Sequence, residues 1–125
     1  QNNAVQKSKS AERRFLRLYE IVREREPYLN NSAKIVQYGA LLRYFLKFMQ
    51  NYDSYPPLIC EILYQVDIKL GDIYYEEALQ NQDNSRYFLA IEYYSQALIY
   101  ARQTEEKNRV LSLLKDIYYY IDDNS

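Results

Sequence analysis

Apolar side chains recur at spacings of three and four along almost the whole chain, the period of a helix that buries one face. Phe15, Leu18, Tyr19 and Val22 keep this spacing in a segment running from about Ser10 to Glu26, which Pro27 ends. Asn30, Asn31 and Ser32 offer N-caps for a second helix, whose stripe is Ile35, Tyr38, Leu42, Phe45, Met49 and Tyr52, broadened by Leu41, Leu46 and Phe48. The clearest turn covers Asn51 to Pro57, and Pro57 suits the first turn of a third helix, where its missing N–H costs nothing. That helix carries Ile59, Ile62, Val66, Leu70, Ile73 and Ala78 on one side until the polar run from Gln80 to Ser85 stops it. Asn84 or Ser85 caps a fourth helix, in which Ala90, Tyr94, Ala97, Leu98 and Ala101 share a face. Thr104, with Glu105 and Glu106 at the positive end of the dipole, opens a fifth, striped by Val110, Leu113, Leu114, Ile117 and Ile121.

The pattern predicts an all-α fold of about five helices. Short connections make neighbours antiparallel, so the helices should stack as consecutive hairpins. The expected organisation is a flexible N-terminal segment over 1–9, one domain over 10–122 and a tail over 123–125.

Composition narrows the function classes. The 125 residues include no His, one Cys and two isolated glycines, which removes the commonest general base and metal ligand, a thiolate cage and a phosphate-cradling glycine loop. The adjacent carboxylates Glu76-Glu77, Glu105-Glu106 and Asp122-Asp123 point in different directions on a helix and set up no chemistry. Cys60, between Ile59 and Ile62, reads as a partly buried, inert thiol. No catalytic, metal or cofactor site is expected, and no apolar run is long enough to span a membrane.

Leu70-Gly-Asp-Ile-Tyr-Tyr75 returns 44 residues later as Leu114-Lys-Asp-Ile-Tyr-Tyr119. With Ala78, and with Ala90, Tyr94, Ala97 and Leu98 following in order, this resembles the tetratricopeptide repeat (TPR), a helix pair of about 34 residues whose first helix carries Leu-Gly-x-x-Tyr. The resemblance covers roughly residues 66–120. The departures are Asp67 at the family's Trp position, Arg102 at its Pro position, and about ten residues of extra length, assigned to the two turns.

The resemblance implies a TPR-like helical array that holds a partner protein on the face lined by the first helix of each pair. Carried onto this sequence, that face is Ile68, Asp72, Tyr75 and Glu76, then Ser112, Asp116, Tyr119 and Tyr120. Such a groove is acidic and aromatic, suited to a segment carrying Lys or Arg among apolar residues. Some family members clamp a C-terminal carboxylate of chaperones with Lys and Asn; the corresponding positions here are Ile68, Asp72 and Leu113, so no such clamp is expected. Of the 16 tyrosines, Tyr74, Tyr94 and Tyr118 are expected in the core, and Tyr75, Tyr93, Tyr119 and Tyr120 beside it.

Charge is divided along the chain. Residues 1–50 hold ten basic and four acidic side chains, a net of +6, whereas residues 51–125 hold six and thirteen, a net of −7. Two solvated surfaces explain this; the sharper alternative is a basic end that meets an acidic partner or a neighbouring copy. Glu12, Glu20, Glu24 and Glu26 dilute the arginines of the first helix, which argues against nucleic acid. Homodimerisation through the uncovered stripe of the fifth helix is the alternative function, a self-assembly domain.

Overall fold

The computed structural model describes the backbone of residues 2–50 and 54–124. Five helices follow one another: α1 (Asn2–Arg25), α2 (Asn31–Phe48), α3 (Pro57–Asn81), α4 (Asn84–Tyr100) and α5 (Thr104–Asn124), with a single 3-10 turn at Glu26–Tyr28. No strand occurs among the described residues, and the fold is all-α, as the periodicity predicts. The chain divides into two compact units, Gln1–Ile59 and Cys60–Ser125. Each has its own aromatic core.

In the first unit α1 begins at Asn2, well before Ser10, so the segment expected to be flexible is helical from residue 2. Pro27 converts the end of the helix into the 3-10 turn, where Leu29 N–H donates to Glu26 O at 3.1 Å. Asn30 is the N-cap of α2: its side-chain oxygen accepts from Ala33 N–H at 2.8 Å. The helices pair antiparallel, because Tyr38 O–H donates to Glu26 Oε1 at 2.8 Å and Tyr44 O–H donates to Ala11 O at 3.3 Å. Between these points the Phe15 ring meets those of Tyr44 and Phe45, each at 6.4 Å between centroids. Phe15, Val22, Tyr38, Leu41, Phe45 and Met49 are buried. Leu18, Leu46 and Phe48 are exposed, so the buried stripe is narrower than the sequence pattern suggests. Tyr52 lies outside the described residues, as do Asn51 and Asp53 of the expected turn.

Pro57 opens α3, most of which belongs to the second unit, and the six residues assigned to its stripe, from Ile59 to Ala78, are all buried. Most of the polar run from Gln80 is helical or caps the next helix, and the link to α4 is only Gln82 and Asp83. Gln82 takes the left-handed conformation at φ 49°, and Asp83 N–H returns to Ala78 O at 3.3 Å. The cap of α4 is Asp83, not Asn84 or Ser85: its carboxylate accepts from Ser85 N–H at 2.9 Å and from Ser85 O–H at 2.7 Å. A carboxylate competes better than a hydroxyl for the orphan N–H groups at a positive helix end. At the head of α5, Glu106 Oε1 accepts from the N–H groups of Arg102 and Gln103 at 3.1 and 3.0 Å, the reach-back half of a capping box.

α4 lies antiparallel on α3 at Gly71, where a Cβ would stand 2.5 Å from Tyr94 Cε1. Only a residue without a side chain allows that approach. α5 then runs parallel to α3, since Tyr64 O–H donates to Glu106 O at 3.1 Å and, further along both helices, the rings of Tyr75 and Tyr120 meet at 6.4 Å. Val110 and Ile117 anchor α5, while Leu113, Leu114 and Ile121 are half-buried. The helix continues through Asp122 and Asp123 to Asn124, over positions expected to form a tail. Tyr118, expected in the core by analogy with Tyr74, is exposed. Tyr74 stacks on Tyr93 of α4 at 5.7 Å and 5° between planes, whereas no described helix follows α5 to cover the equivalent face.

Candidate functional site

The parallel pair α3 and α5 brings together most of the residues assigned to a partner-binding face. Ile68 is the exception: it is 2% exposed and offers nothing to a partner. The first half of α3 is buried over more than one face, Ile62 to Tyr64 and Val66 to Ile68 alike, so an offset from the core stripe does not lead to solvent there. Further along the helix the chain surfaces. Asp72 and Glu76 are exposed and Tyr75 is half-buried on α3; Ser112, Asp116, Tyr119 and Tyr120 are exposed on α5.

The aromatic members form one connected set. Tyr75 meets Tyr94 at 6.4 Å edge to face, Tyr87 at 6.2 Å and Tyr120 at 6.4 Å. Tyr120 in turn stacks on Tyr87 at 6.0 Å and 7° between planes, and Tyr119 meets it edge-on at 6.0 Å. Exposure rises along the run from the buried Tyr94 through Tyr75 to Tyr120 at 37% and Tyr119 at 69%. Burial, then the nearby Asp116 carboxylate, then Tyr120 and Tyr87, push the Tyr75 hydroxyl up to about 12. It therefore stays protonated and able to donate at any physiological pH.

Asp72 has a different role from Glu76 and Asp116. Its Oδ1 accepts from Tyr94 O–H at 2.5 Å, and its Oδ2 lies 3.8 Å from Arg109 Nη2. Burial and then this hydrogen bond raise the Tyr94 hydroxyl well above its usual range. Asp72 thus ties α3 to both α4 and α5, and only part of its charge is open to a ligand.

Two participants were not foreseen. Tyr87 supplies the ring on which Tyr120 stacks, and its place seven residues before Tyr94 on one helix face was the available signal. Arg109 sits on the polar side of α5, where nothing in the spacing marks it as the partner of Asp72.

The arrangement presents aromatic area, phenolic donors and the exposed carboxylates of Glu76 and Asp116, neither of them in an ion pair among the described residues. No group of three or more His, Cys, Asp or Glu side chains that could hold a metal ion occurs among the described residues, and no described helix is long and apolar enough to cross a membrane. Cys60 is buried, with Arg102 Nη1 3.5 Å from its Sγ. Comparison with protein-family models, curated proteins and solved structures finds no match to this chain.

Proposed function

We propose that the chain is a non-enzymatic, TPR-like protein-interaction module that holds a partner segment on the face formed by α3 and α5. The observation that carries this reading is the graded run Tyr75, Tyr120, Tyr119, flanked by Glu76 and Asp116. Exposed, mutually braced aromatic residues give large contact area at little entropic cost, and the carboxylates favour Lys or Arg on the incoming segment. The hairpin order of α3, α4 and α5 and the close approach at Gly71 support the TPR-like reading.

The test is a pull-down from nuclease-treated native extract, comparing the natural chain with a Glu76→Lys, Asp116→Lys variant and with Tyr119→Ala. All three positions are exposed and so leave the fold intact, unlike Asp72 or Tyr75. Loss of the same defined protein from both variants is the expected result; retention of every partner by both removes the acidic, aromatic face from consideration.

The second reading is self-assembly. Leu111 and Tyr118 lie seven residues apart on one face of α5, and both are exposed on the last described helix. A sedimentation coefficient that rises with protein concentration, and ceases to do so in Leu111→Glu, is the outcome this reading requires.

A further inference from the structure

The first unit contains a cleft of about 500 Å³ between α1 and α2 whose charge and lining differ from everything at the α3–α5 face. Lys7, Ser8, Ser10, Ala11 and Arg14 contribute one side, from neighbouring turns of α1. Tyr44, Lys47 and Phe48 of α2 contribute the other. No carboxylate lines it, and neither Lys7 nor Arg14 has an ion pair among the described residues. Three cations therefore line one cleft with no ion pair to a carboxylate among the described residues.

The floor is aromatic. The Tyr44 and Phe48 rings lie 4.7 Å apart at 45°, and Tyr44 is fixed across the cleft by its hydrogen bond to Ala11 O. Lys47 Nζ stands 5.3 Å from the Phe48 ring centre, and that ring is half-exposed.

We propose that this cleft binds a free nucleotide, with the phosphate chain among Lys7, Arg14 and Lys47 and the base against Tyr44 and Phe48. A single negative charge would leave the three cations repelling one another, whereas a di- or triphosphate neutralises them together. The half-exposed Phe48 ring beside the cations, braced by the half-buried Tyr44, supplies an apolar face that a base can stack on. The volume falls in the range of small-molecule sites, roughly 300–1,000 Å³. A nucleic-acid strand needs a continuous basic track, and the charge along α1 is broken just past the cleft, where Arg17 pairs with Glu20 at 3.3 Å. This inference is independent of the protein-binding reading, because it uses none of the same residues.

The test is equilibrium dialysis of the full chain at low ionic strength against ATP, tripolyphosphate, adenosine and a single-stranded adenylate oligonucleotide. ATP should bind, tripolyphosphate about fivefold or more weakly for want of a base to stack, and adenosine more weakly than ATP for want of charge. Arg14→Glu with Lys47→Glu should weaken ATP binding by about tenfold or more, and Phe48→Ala should bring ATP to the level of tripolyphosphate, both with unchanged circular dichroism. Equal affinity for ATP and tripolyphosphate, or indifference to the charge reversals, overturns the proposal. Binding of the oligonucleotide about tenfold tighter than ATP, lost in the same variants, overturns the assignment to a free nucleotide and moves the site to nucleic acid.

Discussion

Asp67 is 0% exposed, and neither of its carboxylate oxygens has a hydrogen-bond partner. Burial alone pushes its carboxyl from the ordinary 3.8 up to about 8, with no charged group contributing. A raised folded-state value means that the folded protein holds this proton more tightly than the unfolded chain does. The stabilising proton is thus fully shared by both states below about pH 4, and stability falls as pH rises from there until the folded group itself ionises near pH 8. Each unit of separation is worth about 1.4 kcal/mol, so Asp67 lowers stability at neutral pH by about 4 kcal/mol relative to acid, and by about 6 kcal/mol above the folded value. Against a total stability of about 5–15 kcal/mol, that is a large fraction.

Asp67→Asn replaces the protonated carboxyl with a neutral group of the same shape. The assay is urea unfolding of both proteins, followed by circular dichroism over the range from about pH 4 to pH 9. Other titrating groups are common to the two proteins and cancel in the difference. The variant should gain on the natural chain steadily between about pH 4 and pH 8, by an amount on the order of several kcal/mol, and the gain should then level off. A difference that does not change with pH, whatever its absolute size, refutes the reasoning, because an ordinary packing effect of Asn carries no such slope.

Two further predictions rest on single contacts. Gly71→Ala would place a methyl group 2.5 Å from a Tyr94 ring that is fully buried and hydrogen-bonded to Asp72, so the ring cannot swing aside. Overpacking of about 1–3 kcal/mol should outweigh the gain of about 1 kcal/mol in helix propensity and lower the thermal midpoint; a raised midpoint would show that the helices separate freely there. Asn30→Ala removes the acceptor for Ala33 N–H and should cost about 1 kcal/mol in urea unfolding, whereas Asn30→Ser should recover most of it.

The helices themselves were legible because their apolar spacing and their punctuation agree: Pro27, Asn30 and Pro57 act where they stand. The outer ends were not. Residues 2–9 hold only Ala4 and Val5 as apolar side chains and 122–124 hold none, so no apolar spacing of three and four marks them in the sequence. Three successive capping residues, Asp83, Asn84 and Ser85, made the start of α4 ambiguous by one or two positions. For the candidate face, Tyr75, Asp116, Tyr119 and Tyr120 could be placed because α5 repeats the spacing of α3. Ile68 could not, since a helix that is apolar over most of its circumference has no stripe from which to measure an offset. Asp67 escaped for the opposite reason: a carboxylate reads as surface, and only the packed structure reveals it as interior.

The connected tyrosines have an optical consequence. With no tryptophan in the chain to drain excitation, emission comes from phenol rings alone, and rings about 6 Å apart exchange excitation with one another. Light absorbed by Tyr87 or Tyr75 can leave from Tyr120 or Tyr119, the exposed end of the run. The unlabelled protein thereby carries its own reporter, in which depolarised ultraviolet emission registers whether the α3–α5 surface is intact and whether it is covered.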